Sequence, residues 1–296
     1  MHAFSDGDRR STPQPEILPP GTWEPPRPTE PVGEPRGWYP PPQPPPRPPR
    51  RHWAHAPATY WLVGINVAVY LFTLFQSQSV AGPTFQQPLS AALLLNGGLV
   101  FTYGQWWRVI SSMFAHFGWI HIGANMWCLW NLGLLGEPLI GEFGMIAAYL
   151  LTGAAGNLLS IALHPALPEN GGIWSGGASG AVFGIAGVLL MVLRSPLLPI
   201  PPAETKRLRR AVWQFALINF IIDAGIWVAH TRLQIDNMAH LGGFLSGIVF
   251  GLPLLPRIGA PRSAFLRRRG LTVAAMTFGL LLIAWWLRSF YAHAAG

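Results

Sequence analysis

Four stretches of this chain, residues 60–107, 109–136, 143–168 and 170–193, each run for more than twenty residues without an Asp, Glu, Lys or Arg. A helix needs about 20 apolar residues to cross a hydrocarbon core about 30 Å thick. Only 11% of the residues are charged and 50% are hydrophobic, against about 25% charged in soluble domains. The sequence therefore predicts an all-α polytopic membrane protein. Its net charge of +8 is not a nucleic-acid signature. The basic residues sit between the apolar spans, where they act as topology signals. Cys128, the one cysteine, excludes an internal disulfide and reads as a packing residue in an apolar run.

The chain divides into three parts. Residues 1–56 hold 17 of the 30 prolines, with runs such as Pro40-Pro41-Pro42. Such a tail cannot build a packed core and is expected to be disordered or polyproline-like, with no apolar core of a signal peptide. Residues 57–255 are expected to form a six-helix core, and 256–296 a basic loop and a seventh transmembrane helix. The predicted spans are 59–75, 116–135, 143–163, 174–193, 211–229, 237–255 and 271–291. A long, mostly uncharged linker joins the first two.

Charge orients the spans. Thirteen basic residues fall near span ends on the side of the N-terminus, among them Arg50, Arg51, Lys206, Arg207 and Arg267 to Arg269. Three, Arg108, Arg232 and Arg288, fall on the other side. The imbalance places the N-terminus in the cytosol and, with seven spans, the C-terminus outside. Richness in arginine, proline and glycine points first to a bacterial plasma membrane and second to a eukaryotic secretory membrane.

Polar and ionisable groups inside spans are costly and mark functional sites. His116, His121 and Asn125 lie on span two, Ser179 on span four and His240 on span six. All three spans enter from the outer face. At about 1.5 Å rise per residue, Ser179 is expected roughly 8 Å below the start of its span, and His121 and His240 roughly 5 to 8 Å. A serine and several histidines thus share one depth. Around them stand Gly176-Gly177-Ala178-Ser179-Gly180 and Ala239-His240-Leu241-Gly242-Gly243, then Gly247. His240, Gly243 and Gly247 share one helix face, and small residues at such spacing let membrane helices approach closely. Spans four and six could bring Ser179 within reach of His240, as a weak hydroxyl nucleophile requires of its base. Taken singly, each feature also has a packing reading; at matched depth, together, they favour catalysis.

The pattern resembles the rhomboid family of intramembrane proteases. The resemblance rests on Trp107-Arg108 in the first outer loop, His116-x4-His121-x3-Asn125, Gly177-Ala178-Ser179-Gly180 and Ala239-His240-x2-Gly243-x3-Gly247. It covers residues 59–255 and implies a six-helix rhomboid core, here with an added C-terminal helix. It further implies a Ser179–His240 dyad without metal or cofactor. Its oxyanion donors are the side chains of His121 and Asn125 with the Ser179 backbone N–H. Gly177, Gly180, Gly243, Gly247, Trp107, Arg108 and His116 are carried over as supporting residues. The implied partners are transmembrane protein substrates within the lipid bilayer.

Asp236, one turn before His240, is read as the N-cap of span six rather than as a third catalytic group. Asp223, inside span five, is expected to be hydrogen-bonded or neutral. Two other functions fit parts of the pattern. A transporter would place polar groups along the whole depth, whereas these cluster near one face. A non-catalytic relative that binds membrane proteins would usually lack the serine or the histidine, and both are present.

Overall fold

The computed structural model describes residues 55–79, 89–164, 174–198, 200–228, 236–255 and 261–294, with the side chains of 77–79, 89–90, 223–228 and 292–294 left aside. The proline-rich tail, Arg232 and the Asp223 side chain lie outside the described residues. Among the described residues stand seven helices of 14 residues or more: α1 (Pro57–Ser79), α2 (Trp119–Ile140), α3 (Glu142–Leu163), α4 (Ser179–Val192), α5 (Pro202–Val228), α6 (Asn237–Gly251) and α7 (Arg262–Ala294). They match the seven expected spans in number and order, and the protein is an all-α, multi-pass integral membrane protein. By length and composition, Pro57–Gln76, Glu142–Leu163, Asn237–Leu254 and Arg262–Tyr291 can each cross a membrane.

The ends differ from expectation in a consistent way. α5 begins nine residues before the expected 211, so that Lys206, Arg207, Arg209 and Arg210 lie on the helix. α7 likewise includes Arg262 and Arg267 to Arg269. Apolarity marks where lipid begins, not where the helix does; Arg, Lys and Glu are good helix formers outside the hydrocarbon. The opposite correction applies to α4. It starts at Ser179 rather than at 174, so Ser179 opens its helix and does not lie roughly 8 Å down it. The residues before it are not helical.

α4 is the centre of the bundle. Twelve of its 14 residues, all but Ser179 and Met191, are buried, and α2, α3, α5 and α6 pack around it. At about 1.5 Å per residue it is roughly 21 Å long, too short to cross the hydrocarbon alone. Its contact with α6 is made by backbone. A β-carbon on Gly243 would strike the Gly180 carbonyl oxygen, one on Gly247 the Gly184 carbonyl oxygen, and one on Gly187 the Phe244 carbonyl oxygen. Gly156 of α3 meets the Ala239 carbonyl oxygen in the same way. Helices gain no hydrophobic drive to associate in lipid, so such close van der Waals contact holds them together.

The start of α1 is held by one carboxylate. Glu137 of α2 is 2% exposed. Its Oε1 accepts the Ala58 N–H at 2.9 Å, and its Oε2 accepts the Thr59 N–H and hydroxyl, both at 2.7 Å. The first N–H groups of a helix have no partner within it, and an anion also suits the positive end of the helix dipole. Glu137 thus caps α1 from another helix. Cys128 is free and packs at the edge of the main core.

Replacing Glu137 by Ala is expected to cost about 3 kcal/mol of stability, since it strips charge-assisted bonds from buried donors; Glu137→Gln should cost less. Denaturant unfolding in detergent measures this, and a loss below about 1 kcal/mol for Glu137→Ala would contradict the capping role. Gly247→Val should cost about 2 kcal/mol or more by overpacking the α4–α6 contact. Gly64→Ala, where a β-carbon meets nothing within 4 Å, should be neutral or slightly stabilising in the same assay.

Candidate active site

The residues just before α4 are not helical, so their N–H groups need other partners. The loop between α1 and α2 provides them. Leu95 and Ser175 form an isolated antiparallel bridge, with Leu95 N–H donating to Ser175 O at 2.8 Å and Ser175 N–H to Leu95 O at 3.0 Å. Gly177 N–H donates to Ser112 O at 2.8 Å. Ala178 N–H donates to His116 Nε2 at 3.3 Å. Gly177 takes φ +129°, a left-handed conformation that L side chains rarely adopt and that glycine reaches at no steric cost. The segment then turns into α4, and Ser179, partly exposed, is the first helical residue.

The histidines can be assigned tautomers from these bonds. His116 Nε2 accepts from Ala178, so its Nδ1 carries the hydrogen and donates to Phe114 O at 3.3 Å. His116 is 8% exposed and stands ahead of α2. Both ring nitrogens are engaged in shaping the backbone before Ser179. His121, on the first turn of α2, differs. Its Nδ1 accepts the Phe117 N–H at 3.4 Å, which leaves Nε2 as a donor. That Nε2 lies 2.8 Å from where a β-carbon of Gly177 would stand, and Asn125 Nδ2 lies 3.6 Å from the same point. Asn125 is 6% exposed and uses one amide hydrogen on His121 O at 3.0 Å; the other remains available. Two side-chain donors therefore line the space beside the Gly177–Ser179 backbone.

His240 enters from α6, on its first turn, and is 7% exposed. Its ring stacks on Phe183, centroids 4.5 Å apart and planes 21° from parallel. Phe183 lies one turn after Ser179, on the same face of α4. Gly180 packs against the Ala239 carbonyl oxygen, 3.2 Å from a β-carbon position. Ser179, His121, Asn125 and His240 thus gather at one end of the bundle, where α2, α4 and α6 all begin.

Asp236 caps α6, as the sequence predicts. Its Oδ1 accepts the Ala239 N–H at 2.9 Å, and its Oδ2 accepts the Ser160 hydroxyl at 2.6 Å. Among the described residues, no three His, Cys, Asp or Glu side chains converge as a metal-binding group.

Arg108, in the loop between α1 and α2, holds that loop rather than the reacting groups. Arg108 is 5% exposed and donates to Ala91 O, Leu94 O and Gln105 Oε1 at 2.8, 2.6 and 2.6 Å. Trp107 is exposed. The loop is also pinned to α3: Asn157 Nδ2 donates to Val109 O and Ser112 Oγ at 2.8 and 2.9 Å, and the Tyr149 hydroxyl to Met113 O at 3.1 Å. Sequence reasoning missed Leu95, Ser112, Asn157 and Phe183. Asn157 alone carried a signal, as an amide inside an apolar span.

The family model described as Rhomboid domain matches residues 103–257, about half of the chain. The protein named "Rhomboid protease GluP" from Bacillus subtilis is 30% identical over 195 residues, covering 66% of this chain and 35% of that protein. "Rhomboid protease AarA" from Providencia stuartii is 27% identical over 248 residues, 78% of this chain and 83% of that protein. "Rhomboid-like protein 11, chloroplastic" from Arabidopsis thaliana is 28% identical over 68% of this chain and 66% of its own length. The chain spans about a third of the length of the Bacillus protein. With a family model over half its length and the motif-bearing helices gathered at one end, this chain belongs to the rhomboid family.

Proposed function

We propose that this protein is an intramembrane serine endopeptidase in which Ser179 is the nucleophile and His240 its base. The observation that carries the reading is the set of donors around one serine. The His121 Nε2–H and the Asn125 amide line the backbone at Gly177, while His240 stacks on the face of α4 that Ser179 opens.

In this mechanism Ser179 Oγ attacks the scissile carbonyl carbon as His240 takes the hydroxyl proton. The carbonyl oxygen becomes an oxyanion. It is received by the Ser179 N–H, one of the unpartnered donors of a helix N-terminus, and by His121 Nε2–H and Asn125 Nδ2. Each such donor is worth roughly 10²–10³ in rate. His240 passes its proton to the leaving amine, and the C–N bond breaks. Water then attacks the acyl-enzyme, giving its proton to His240, and Ser179 leaves as the hydroxyl. In this reading Asp236 serves as the cap of α6 rather than as a third member, its carboxylate oxygens accepting the Ala239 N–H and the Ser160 hydroxyl.

The substrate proposed is a single-span transmembrane protein. A helix in lipid hides its peptide bonds, so cleavage near the membrane surface requires local unwinding, which Gly, Pro or small residues favour. The arginine imbalance supports a topology with the Ser179 end outside and the N-terminus in the cytosol; a bacterial plasma membrane is the proposed location. All the proposed reacting groups fall within 57–255, leaving the tail 1–56 and the segment 256–296 outside the chemistry.

The test is cleavage of a tagged single-span substrate in proteoliposomes. Ser179→Ala and His240→Ala should each lower turnover by at least roughly 10³-fold with the protein still folded. Near-normal activity in either would refute the dyad, and a wild-type protein that binds but never cuts would mark a non-catalytic relative. Asp236→Asn should keep substantial activity; a loss matching that of His240→Ala would establish a triad.

Deleting residues 1–47 while keeping Arg50 and Arg51 should leave cleavage per folded molecule within about twofold, because the segment has no apolar pattern with which to pack on the core. A large loss would place the tail in the site or its gating.

A further inference from the structure

α7 is peripheral for most of its length. Leu271, Phe278, Leu281, Leu282, Trp285 and Trp286 are exposed, as lipid-facing residues of a membrane helix are. Its C-terminal turns differ. Leu287 is 3% exposed and belongs to a second apolar core, apart from the main one, with Leu95, Val100, Val109, Leu158 and Ile161. The Tyr291 ring stacks on Phe101 of the outer loop, centroids 4.4 Å apart, and its hydroxyl donates to Ala162 O at the end of α3 at 2.8 Å. The loop is thus sandwiched between α3 and the end of α7.

Leu95 is the link to the site. Its side chain is 1% exposed in that second core, and its backbone makes the two-bond bridge to Ser175, four residues before Ser179. A single pair of strand-like hydrogen bonds is not stable in isolation. It persists because the residue that makes it is packed on its other side, in a cluster that Leu287 completes from the end of α7.

We propose that α7 is a positioning element for the Ser179 segment, with Leu287 and Tyr291 pressing the loop around Leu95 and Phe101 into the place that fixes Ser175. Neither residue touches the reacting groups; both act through the loop. The proposal rests on Ser179 being the nucleophile. It predicts a loss in the chemical step rather than in substrate binding, since misplacement of a nucleophile by a fraction of an ångström reduces rate without removing contacts to substrate.

The experiment uses the full chain in proteoliposomes with two readouts: the rate at which a fluorophosphonate labels Ser179, and kcat and KM for a single-span substrate, both per folded molecule. Ser179→Ala is the blank. If the wild-type protein labels no more than this blank, the nucleophile reading itself has failed. If it labels, Leu287→Ala and Tyr291→Ala should each slow labelling and lower kcat by roughly tenfold with KM within about twofold. Tyr291→Phe, which keeps the stack on Phe101, should recover most of the rate. Phe278→Ala on the exposed face should match wild type. Tyr291→Ala, near the helix end and only half-buried, keeps the test decisive if Leu287→Ala does not fold. Wild-type labelling and kcat in Tyr291→Ala, or a raised KM with unchanged kcat, would overturn the proposal.

Discussion

Two helices touch backbone to backbone at the middle of this protein, and the rest of the structure is arranged around that contact. Gly180, Gly184 and Gly187 of α4 face Gly243, Gly247 and the Phe244 carbonyl of α6 with no side chain between them. In lipid, where apolar side chains gain little by leaving their surroundings, closeness of packing is the available source of attraction. It also sets a distance. The helix that starts at Ser179 and the helix whose first turn carries His240 cannot separate without losing this contact. A serine and a histidine far apart in sequence are thereby held at one end of the bundle.

The second constraint follows from the shortness of α4. A helix of 14 residues leaves the chain before it non-helical yet enclosed by protein, and peptide groups there must find partners. The answer is the loop between α1 and α2, through Leu95, Ser112 and His116. That loop is in turn anchored by Arg108 on carbonyls, by Asn157 and Tyr149 of α3, and by the end of α7. The positive φ at Gly177 costs glycine nothing, and a residue with a side chain there would be strained. Local shape next to Ser179 is thus a property of distant residues.

Polar residues in and beside the helices sort by whether their hydrogen bonds are made to neighbouring elements. Glu137, Asn157, Asp236 and His116 are engaged by neighbouring donors or acceptors and serve architecture. His121 and Asn125 each keep a donor toward the backbone beside Ser179. The sequence cannot make this distinction, because Asn125 and Asn157 look alike as amides in apolar spans.

The number and order of the long helices and the gathering of Ser179, His121 and His240 toward one end of the bundle were legible in the sequence alone. Apolarity is a per-residue property, and alternate spans must enter from the same side. Asp236 as a cap was legible too, since capping is local. Tertiary structure decided where helices begin. Pro202 and Arg262 open helices in charged sequence, while Ser179, five residues into an apolar run, opens α4. It also decided that Glu137 caps α1 across 78 residues and that Leu95 pairs with Ser175 across 80. These bonds join groups whose separation in sequence carries no periodic signal. They exist because buried peptide groups must be satisfied by whatever the packing of helices brings near.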